Sequence, residues 1–429
     1  MHPPKPGGPR LGDDINVDVR KGHPMKLSPA SEAIVKATAA VVAENAETIT
    51  KTFYPDMFAA HPGLMRVFNK ANQAIGEQPK ALAASVVAYA VNLIDPNAPD
   101  FTPVMQRIAH KHVSLGIKAQ EYTIVGHHLM KAVGTVLGDA VTPEVAAAWD
   151  EVYWLFGCAL IAEEAKLYAL GGTDPAQPWR KYRVVERFEE NDDIFSLVLA
   201  PVQGEAPRHE TGQYVAIAVD LPGGQRQPRQ YTISSGPRGD TLRVTIKRVR
   251  GVDGAPDGQV SNWLGDHAQP GTVLDVSQPC GDLVLDDSDG PIVLVSAGIG
   301  ITPVAAILED LSRRQPERTV RMFHADKAHS THALYASLRR QVLSMTDARA
   351  QNWYEADATS APTLHPAREG FMDLTDADIP ADSTVFMCGP LEFMNAMRKQ
   401  LIAKGVSPER IRYEVFGPDL WAQNPDSAA

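Results

Sequence analysis

The pattern of hydrophobic and polar positions divides the chain into three regions. Residues 27–170 carry apolar residues at helical spacing. Ser28 and Pro29 predict the start of the first helix, because a hydroxyl can cap free N–H groups and proline suits the first helical position. Further helical patterns cover 78–93, 103–114, 121–138 and 144–170. The sequence therefore predicts an all-α region at this end of the chain.

The first helix is predicted from an apolar stripe at helical spacing. The members of the stripe are Ile34, Val41, Val42, Ile49 and Phe53. Between residues 50 and 80 we expect short, broken helices, because Pro55, Pro62 and Gly76 interrupt the pattern. Gly171 and Gly172, followed by two prolines, predict a linker after the helical region.

Residues 179–285 change to short runs that are often β-branched and are bounded by Gly, Pro and Asp. The runs are YRVVERF, IFSLVLA, GQYVAIAV, RQYTIS, LRVTIKRV and TVLDVSQP. Several short strands at this spacing predict an antiparallel β-barrel or sandwich.

Residues 290–418 alternate strand with helix. The strand patterns are PIVLVSAG, VRMFHAD, QNWYEA and TVFMCGP, and a helix is predicted from about residue 391. This alternation is typical of a doubly wound α/β domain with a parallel sheet.

Composition and charge narrow the function classes. The chain has 429 residues, of which 44% are hydrophobic and 22% charged, and its formal net charge is −11. The length fits about three domains, and the acidic balance argues against a nucleic-acid partner, which would need a basic face. Cys158, Cys280 and Cys388 are far apart and odd in number. Neither a disulfide framework nor a zinc site is therefore expected, and a reducing compartment fits.

Residues 1–26 are rich in Pro, Gly and charged residues and lack the apolar centre of a signal peptide. We expect this stretch to be a disordered extension. No uninterrupted apolar run reaches about 18 residues, so neither a transmembrane helix nor a stable membrane association is expected. These features together predict a cytoplasmic protein.

One helical segment carries a candidate metal ligand. His112 follows the apolar face of this segment at helical spacing and is expected to point inward, whereas His110 is expected to point outward. A buried imidazole in an apolar pocket needs a partner. His128 lies near the edge of another apolar face, and spacing alone leaves it open as the ligand. The apolar face near His112 consists of Val104, Met105 and Ile108.

The helical region resembles the globin domain of the flavohaemoglobin (nitric oxide dioxygenase) family along nearly its whole length. The resemblance implies a haem b whose iron is bound by His112, with Lys111 beside it at the cofactor. The matching stretches are Phe53-Tyr54-x-x-Met57-Phe58, Val67-Phe68-Asn69, Asn72-Gln73, Gln78, Ile108-Ala109-x-Lys111-His112 and Glu121-Tyr122-x-Ile124-Val125-Gly126.

The same resemblance implies roles around the haem. Tyr54 and Gln78 are the polar groups over its distal face, Leu82 is an apolar wall and Phe68 packs on the ring. Tyr122 and Glu164 form a hydrogen-bonded network behind the ligand histidine. A carboxylate in that position makes the imidazole a better donor to iron, which suits activation of dioxygen more than its carriage. Glu163 is the alternative to Glu164, and the helix register decides between them.

A flavin site is predicted in the β-rich region. Alternation puts Arg229 and Tyr231 on one side of a strand, where a guanidinium suits a phosphate and a phenol suits the flavin ring. Ser261 follows at a position where it can cap a short helix, whose N-terminus attracts phosphate. These motifs resemble the flavin half of the ferredoxin–NADP reductase superfamily, and the flavohaemoglobin resemblance implies FAD. The residues concerned are Tyr214, Arg229, Gln230, Tyr231, Thr232, Ser234, Gly258, Val260 and Ser261.

A nicotinamide site is predicted where a strand meets a helix. Glycines there let the backbone approach a pyrophosphate, Thr302 can cap the helix and Pro303 fits its first turn. This turn and the Cys-Gly-Pro motif downstream resemble the nucleotide half of the same superfamily, and an aromatic segment near the C-terminus matches the family's segment close to the flavin. The residues are Gly298, Ile299, Gly300, Ile301, Thr302, Pro303, Cys388, Gly389, Pro390, Phe416, Gly417 and Pro418.

The electron donor is expected to be NADH or NADPH. Asp326 favours a ribose 2′-hydroxyl and the adjacent Lys327 a 2′-phosphate, which leaves a slight preference for NADH. The domain ranges expected after the extension are a globin (27–171), an FAD-binding β-barrel (177–286), an NAD(P)-binding α/β domain (290–418) and a tail (419–429).

The resemblance implies a nitric oxide dioxygenase whose small-molecule partners are O2 and NO, and we expect the protein to be a monomer. Electrons would pass from NAD(P)H through FAD to the haem. Two other functions fit the same motifs. One is a haem-based gas sensor or carrier whose reductase keeps the iron ferrous, and the other is a reductase that serves an outside protein.

Overall fold

The computed structural model describes residues 26–66, 77–237, 239–251, 256–358 and 366–417, with the backbone alone for 77–80. The predicted tail 419–429 and, apart from Lys26, the predicted extension 1–26 lie outside the described residues.

The first region is helical, as the apolar spacing predicts. Ser28 caps the first helix, and its hydroxyl accepts the backbone N–H of Ser31 at 3.3 Å. Trp149 and Phe53 are among the largest buried side chains of the core that these helices share. The helices are α1 (Pro29–Ala60), α2 (Glu77–Ile94), α3 (Thr102–Leu115), α4 (Ala119–Leu137) and α5 (Pro143–Leu170).

Two expectations for α1 are wrong. The helix continues through Pro55 to Ala60 instead of breaking. A proline removes one backbone hydrogen bond, and burial of nearby residues such as Met57 holds the helix in the core. The expected place of Val41 in the buried stripe is also wrong, since Val41 is 44% exposed. Val35 and Val42 are both buried instead, because a separation of seven residues, about two helical turns, puts them on the same face of the helix.

Helix α5 is long and apolar enough, by length and composition, to cross a membrane, although no such segment was expected. Its inner residues, among them Trp149, Val152 and Phe156, are buried in the core of the helical region. A core helix of a soluble protein passes the same length test, so α5 is weak support for a membrane span.

The second region is a curled antiparallel sheet with the strand order β4-β3-β6-β1-β2-β5. An isolated antiparallel bridge joins the two edge strands of the sheet. Ile233, the residue after β4, pairs with Val244 in β5. The curled sheet agrees with the predicted antiparallel β-barrel. Its elements are β1 (Trp179–Glu189), β2 (Ile194–Pro201), β3 (Tyr214–Leu221), β4 (Gln225–Thr232), β5 (Leu242–Lys247), α6 (Gln259–His267) and β6 (Val273–Ser277).

The third region has a parallel sheet with the order β10-β9-β8-β7-β11-β12. Helices α7 and α8 pack on one face and α9 on the other. The doubly wound prediction is confirmed. The elements are β7 (Ile292–Ala297), α7 (Ile301–Arg314), β8 (Val320–Asp326), α8 (Tyr335–Ser344), β9 (Ala348–Tyr354), β10 (Arg368–Glu369), β11 (Thr384–Cys388), α9 (Leu391–Ala403) and β12 (Ile411–Glu414).

The strand order of the third region fixes where a ligand can bind. The chain moves outward from β7 in both directions, so a crevice opens at the carboxyl ends of β7 and β11. The sequence motifs at Gly298–Gly300 and Cys388–Pro390 follow these two strands directly.

Candidate functional site

Two side chains from two other helices meet at one nitrogen of His112. The imidazole Nδ1 of His112 lies 2.8 Å from the hydroxyl of Tyr122 and 2.8 Å from Oε1 of Glu164. The Tyr122 hydroxyl donates to the same carboxylate oxygen at 2.5 Å. This arrangement calls for a proton on Nδ1, which leaves the lone pair of Nε2 for a metal ion.

Small residues and tyrosines hold this cluster in position. Tyr153 donates to the carbonyl of Tyr122 at 2.5 Å. A Cβ on Gly157 would lie 3.3 Å from the ring of Tyr122. Burial and the neighbouring carboxylate of Glu164 raise the pKa of Tyr122. The phenol therefore stays protonated and remains a donor throughout the physiological pH range.

The geometry decides between the alternatives that spacing left open. His128 is buried, but its Nδ1 pairs with Asp56 at 2.5 Å, on the side of α1. Glu163 pairs with Lys166 at 2.8 Å near the surface, whereas Glu164 is 4% exposed. His112 and Glu164 are therefore the pair that faces the interior.

Partly buried side chains of the helical region fit the presence of a large apolar ring. The side chain of His112 is 30% exposed although it belongs to an interior cluster. Several apolar side chains beside the core are only partly buried, as expected where a prosthetic group would cover them: Phe58, Leu82, Val104, Met105, Ile108 and Ile124.

The predicted distal residues are described in part. Tyr54 is 6% exposed and packs edge-on against Phe53 with ring centroids 4.7 Å apart. Phe68 lies outside the described residues, as does the side chain of Gln78.

The flavin motif lies on β4, as expected. Arg229 and Tyr231 share one side of the strand, and Gln230 on the other side donates to Ser114 of α3 at 2.7 Å. Burial lowers the pKa of the Arg229 guanidinium, which donates to the side-chain oxygen of Gln227 at 3.2 Å and to the carbonyl of Pro228 at 2.6 Å. Thr232 and Ser234 are buried, and Ser234 bonds Thr245 at 2.8 Å.

The expectation that Ser261 caps a helix is wrong. The N-cap of α6 is Gly258, and Ser261 lies one turn inside. The hydroxyl of Ser261 accepts the N–H of Val249 at 3.1 Å and donates to the carbonyl of Gly258 at 3.3 Å. Val260 is 1% exposed and anchors the helix in the barrel core. The free N–H groups of this helix start remain available to an anion.

The two nucleotide motifs meet at the crevice between β7 and β11. Gly298 has φ +52°, a conformation that favours glycine. A Cβ on Gly300 would overlap the carbonyl of Cys388, and one on Gly389 would overlap the ring of Phe393. Gly300 and Gly389 are therefore packed so closely against their neighbours that a larger side chain would force a shift in the turn. The neighbouring motif residues are Ile299, Ile301, Pro303 and Pro390.

Two details of this crevice differ from the sequence argument or extend it. Thr302 does not cap α7, because the N-cap is Gly300 and the Thr302 hydroxyl donates to Ile299 at 3.0 Å. Cys388 is 1% exposed, and burial followed by the charge of Glu414 raises the pKa of its thiol. Cys388 is therefore a neutral thiol at neutral pH.

Substitution of Gly300 by Ala is expected to damage this crevice. The added methyl would overlap the Cys388 carbonyl, and forced overpacking costs about 1–3 kcal/mol of unfolding free energy. Urea unfolding and the rate of flavin reduction by NADH would both show the loss. Gly290→Ala is the matched control, since nothing lies within 4 Å of its Cβ. Equal unfolding free energies and equal rates of flavin reduction in the two variants would show that the close approach of Gly300 to the Cys388 carbonyl affects neither stability nor reduction.

Helix α3 also has a face that the sequence argument missed. The docking face, which we define as Arg107, His110, Lys111 and Ser114, contacts both other regions of the chain. His110 points away from the core of the helical region, as expected, but it is covered by the barrel, because it accepts the N–H of Gly281 at 3.0 Å. Lys111 donates to the carbonyl of Gly417 at 2.5 Å. Phe416 beside it is 50% exposed, and Pro418 lies outside the described residues.

Tyr214 completes the contact with α3. It is buried with Val113, Tyr168 and Cys280 in an apolar cluster between the helical region and the barrel. Backbone bonds of 2.7 and 2.8 Å join Tyr214 to Cys280. Burial raises the pKa of the Tyr214 hydroxyl well above its usual range.

Asp326 and Lys327 differ in their surroundings. The carboxylate of Asp326 accepts the hydroxyl of Thr331 at 2.6 Å and the N–H of Lys327 at 2.7 Å. Burial opposes ionisation of Asp326, but the His324 imidazole, 3.5 Å from the carboxylate, and these hydrogen bonds outweigh it and lower the pKa of Asp326. The side chain of Lys327 is exposed. A fixed negative charge therefore lies at the carboxyl end of β8.

Comparison with known families agrees with this architecture. Residues 51–159 match the globin family, and residues 294–399 match the oxidoreductase NAD-binding domain family. The first range contains His112 and Tyr122, and the second contains the Gly298–Pro303 turn and Cys388.

Whole-chain relatives carry the same combination. The chain is 40% identical to a flavohemoprotein of Bordetella parapertussis over 401 residues, 91% of this chain and 98% of the relative. A flavohemoglobin from Malassezia yamatoensis, solved with bound FAD and heme, superposes with a TM-score of 0.82 at 32% identity, over 92% of this chain and all of that one.

A further solved structure covers the reductase half. It is the FAD/NAD-binding domain of a nitric oxide dioxygenase from Vibrio cholerae, which matches 56% of this chain and all of its own at 31% identity and a TM-score of 0.52. The Malassezia structure superposes over the helical region, the barrel and the parallel-sheet region together, and the Bordetella sequence matches over nearly the same length of chain. The chain therefore belongs to the flavohaemoprotein family.

Proposed function

We propose that this protein is a nitric oxide dioxygenase that binds haem b, FAD and NAD(P)H. Each NO combines with one O2 and one electron to give nitrate, so one NAD(P)H serves two NO molecules. When bound, NAD(P)H supplies hydride, FAD divides the pair into single electrons, and haem supplies the iron chemistry with the two gases.

The observation that carries the proposal is the hydrogen-bonded cluster of His112, Tyr122 and Glu164. A carboxylate on the far nitrogen of a metal-binding imidazole orients the ring and raises its basicity. A strong donor of this kind suits activation of oxygen. A simple carrier needs no such carboxylate, so the cluster favours the enzyme over the gas carrier.

The remaining site residues have distinct tasks in this proposal. Tyr54 provides a polar group that orients the gases, and Leu82 excludes water; the same two tasks are assigned to Gln78 and Phe68 from the family resemblance alone. Lys111 ties the ligand helix to the C-terminal segment.

Arg229 and the start of α6 bind the phosphates of FAD, and Tyr231 with Tyr214 contacts its ring system. The turns at Gly298–Pro303 and Cys388–Pro390 bind the nicotinamide nucleotide, while Phe416 lies by the flavin. Asp326 favours NADH, because its carboxylate would repel a 2′-phosphate.

We further propose that the protein acts in the cytoplasm as a monomer, with no stable membrane association. The three separated cysteines of the described part of the chain are free, with Cys280 and Cys388 buried, which suits a reducing compartment. The domain boundaries proposed are those given from the sequence: 27–171, 177–286 and 290–418.

The test is consumption of NO, followed with an electrode in air-saturated buffer. Protein with stoichiometric haem and flavin should remove NO rapidly only when both NADH and O2 are present, and nitrate should accumulate. Slow removal despite normal reduction of the haem by NADH would reject the dioxygenase and favour the gas sensor or carrier.

A further inference from the structure

Helix α3 has two functional faces. The docking face residues lie at positions i, i+3, i+4 and i+7, which form one stripe on a helix. His112 lies about 150° around the helix from the middle of this stripe. The helix that presents the ligand imidazole to one side is therefore fixed on the other side by the rest of the chain.

Arg107, a member of the docking face, contacts both other regions at once. Its guanidinium pairs with Asp282, in the loop after β6, at 3.2 Å. It also donates to the hydroxyl of Tyr413, in β12, at 2.9 Å and lies 4.5 Å from the centre of that ring. The side chains of Arg107 and Asp282 are 13% and 25% exposed, so water screens the pair little.

We propose that Arg107 is a positioning residue that holds the haem-ligand helix in the orientation in which flavin-to-haem electron transfer is fast. The inference rests on the electron route of the proposed function. Arginine suits this task, because its planar fork can bind a carboxylate, a hydroxyl and an aromatic face together.

The other contacts around Arg107 indicate that helix α3 is held in one orientation against the flavin-binding region, and is not merely attached to it at one point. His110 bonds Gly281, next to Asp282, and Gln230 of the flavin strand bonds Ser114. Successive turns of α3 are thus bonded to the flavin-binding region. Arg107 adds the bond to Tyr413, so a shift of β12 or of the loop at Asp282 would move α3.

The test is anaerobic stopped-flow reduction of the holoenzyme by NADH, with flavin and haem followed separately by their absorbance. Arg107→Gln should reduce its flavin at the wild-type rate. It should pass electrons to the haem on the order of tenfold more slowly, because loss of one partner of a desolvated pair lowers the docked population. Arg107→Lys keeps the charge without the fork and should remain several-fold slow.

The control is Arg226→Gln. Arg226 pairs with Asp275 at 2.8 Å and lies 5.3 Å from the ring of Trp179, so it has the same kinds of contact within the barrel. This variant should transfer electrons to the haem at the wild-type rate.

Hydrogen exchange gives a readout that does not depend on turnover. Backbone exchange at residues 280–283 and 411–414 should rise in Arg107→Gln and not in the control. Wild-type haem reduction in Arg107→Gln would overturn the inference, and so would an equal slowing in Arg226→Gln. If the wild-type protein reduces its haem but consumes no NO, the proposed dioxygenase function is rejected. The comparison of haem-reduction rates between the Arg107 and Arg226 variants still tests the role of Arg107.

Discussion

His112→Ala is expected to lose haem and NO consumption while it keeps the reductase activity. His112 is the interior imidazole whose Nδ1 is held by Tyr122 and Glu164, so its Nε2 is the donor prepared for iron. Removal of a residue that merely supports a ligand costs about 10–100-fold in affinity or activity. Loss of the ligand itself should exceed that range.

The measurements are haem content by absorbance, NO consumption, and NADH-dependent reduction of ferricyanide. The last should be unchanged, because the flavin and nucleotide motifs lie in the other two regions of the chain. His128→Ala is the matched control: it removes a buried imidazole of the same region, one that pairs with Asp56 instead. Haem loss from the His128 variant but not from the His112 variant would reverse the assignment.

Local patterns predicted the elements well, because each region has one dominant period. Helical spacing located α2 to α5 to within a few residues, and β-branched runs located the strands of the barrel. The errors arose where tertiary packing overrides a local rule. Pro55 stays inside α1, and Val41 faces solvent although it continues an apolar stripe. The short strands β10 and β12 carry too few residues to give a pattern.

The haem cluster was reachable only through family resemblance. Tyr122 and Glu164, taken alone, are ordinary helix residues, and no spacing rule joins residues from α4 and α5 to His112. Tertiary contact joins them, and the helix register then separates Glu164 from Glu163. The cap assignments for Ser261 and Thr302 failed because both hydroxyls bond neighbouring backbone inside the first helical turn.

The docking face shows why the contacts between regions are harder to predict. Arg107, His110, Lys111 and Ser114 repeat at helical spacing, but polar residues in that pattern usually face solvent. Their partners lie more than 100 positions away in the chain, at Asp282, Tyr413 and Gly417. Sequence periodicity describes one helix at a time, so it does not distinguish a polar interface from a polar surface.

Glu164→Gln is expected to keep the haem but slow NO consumption by about 10–100-fold. Glutamine has the size of glutamate and retains an oxygen that can accept from His112 and Tyr122, so the fold should be preserved. The negative charge behind the imidazole is lost, and the ring becomes a weaker donor to iron. Reduction of ferricyanide by NADH should not change.

Glu163→Gln separates this effect from a general loss of charge on α5. Glu163 is the adjacent residue and pairs with Lys166 near the surface at 2.8 Å, and surface pairs contribute about 0–1 kcal/mol. Its variant should consume NO at the wild-type rate. The absorbance of the ferrous haem should shift in the Glu164 variant alone, because only that carboxylate reaches His112. Equal slowing in both variants would mean that net charge, and not the hydrogen bond to His112 Nδ1, controls the rate.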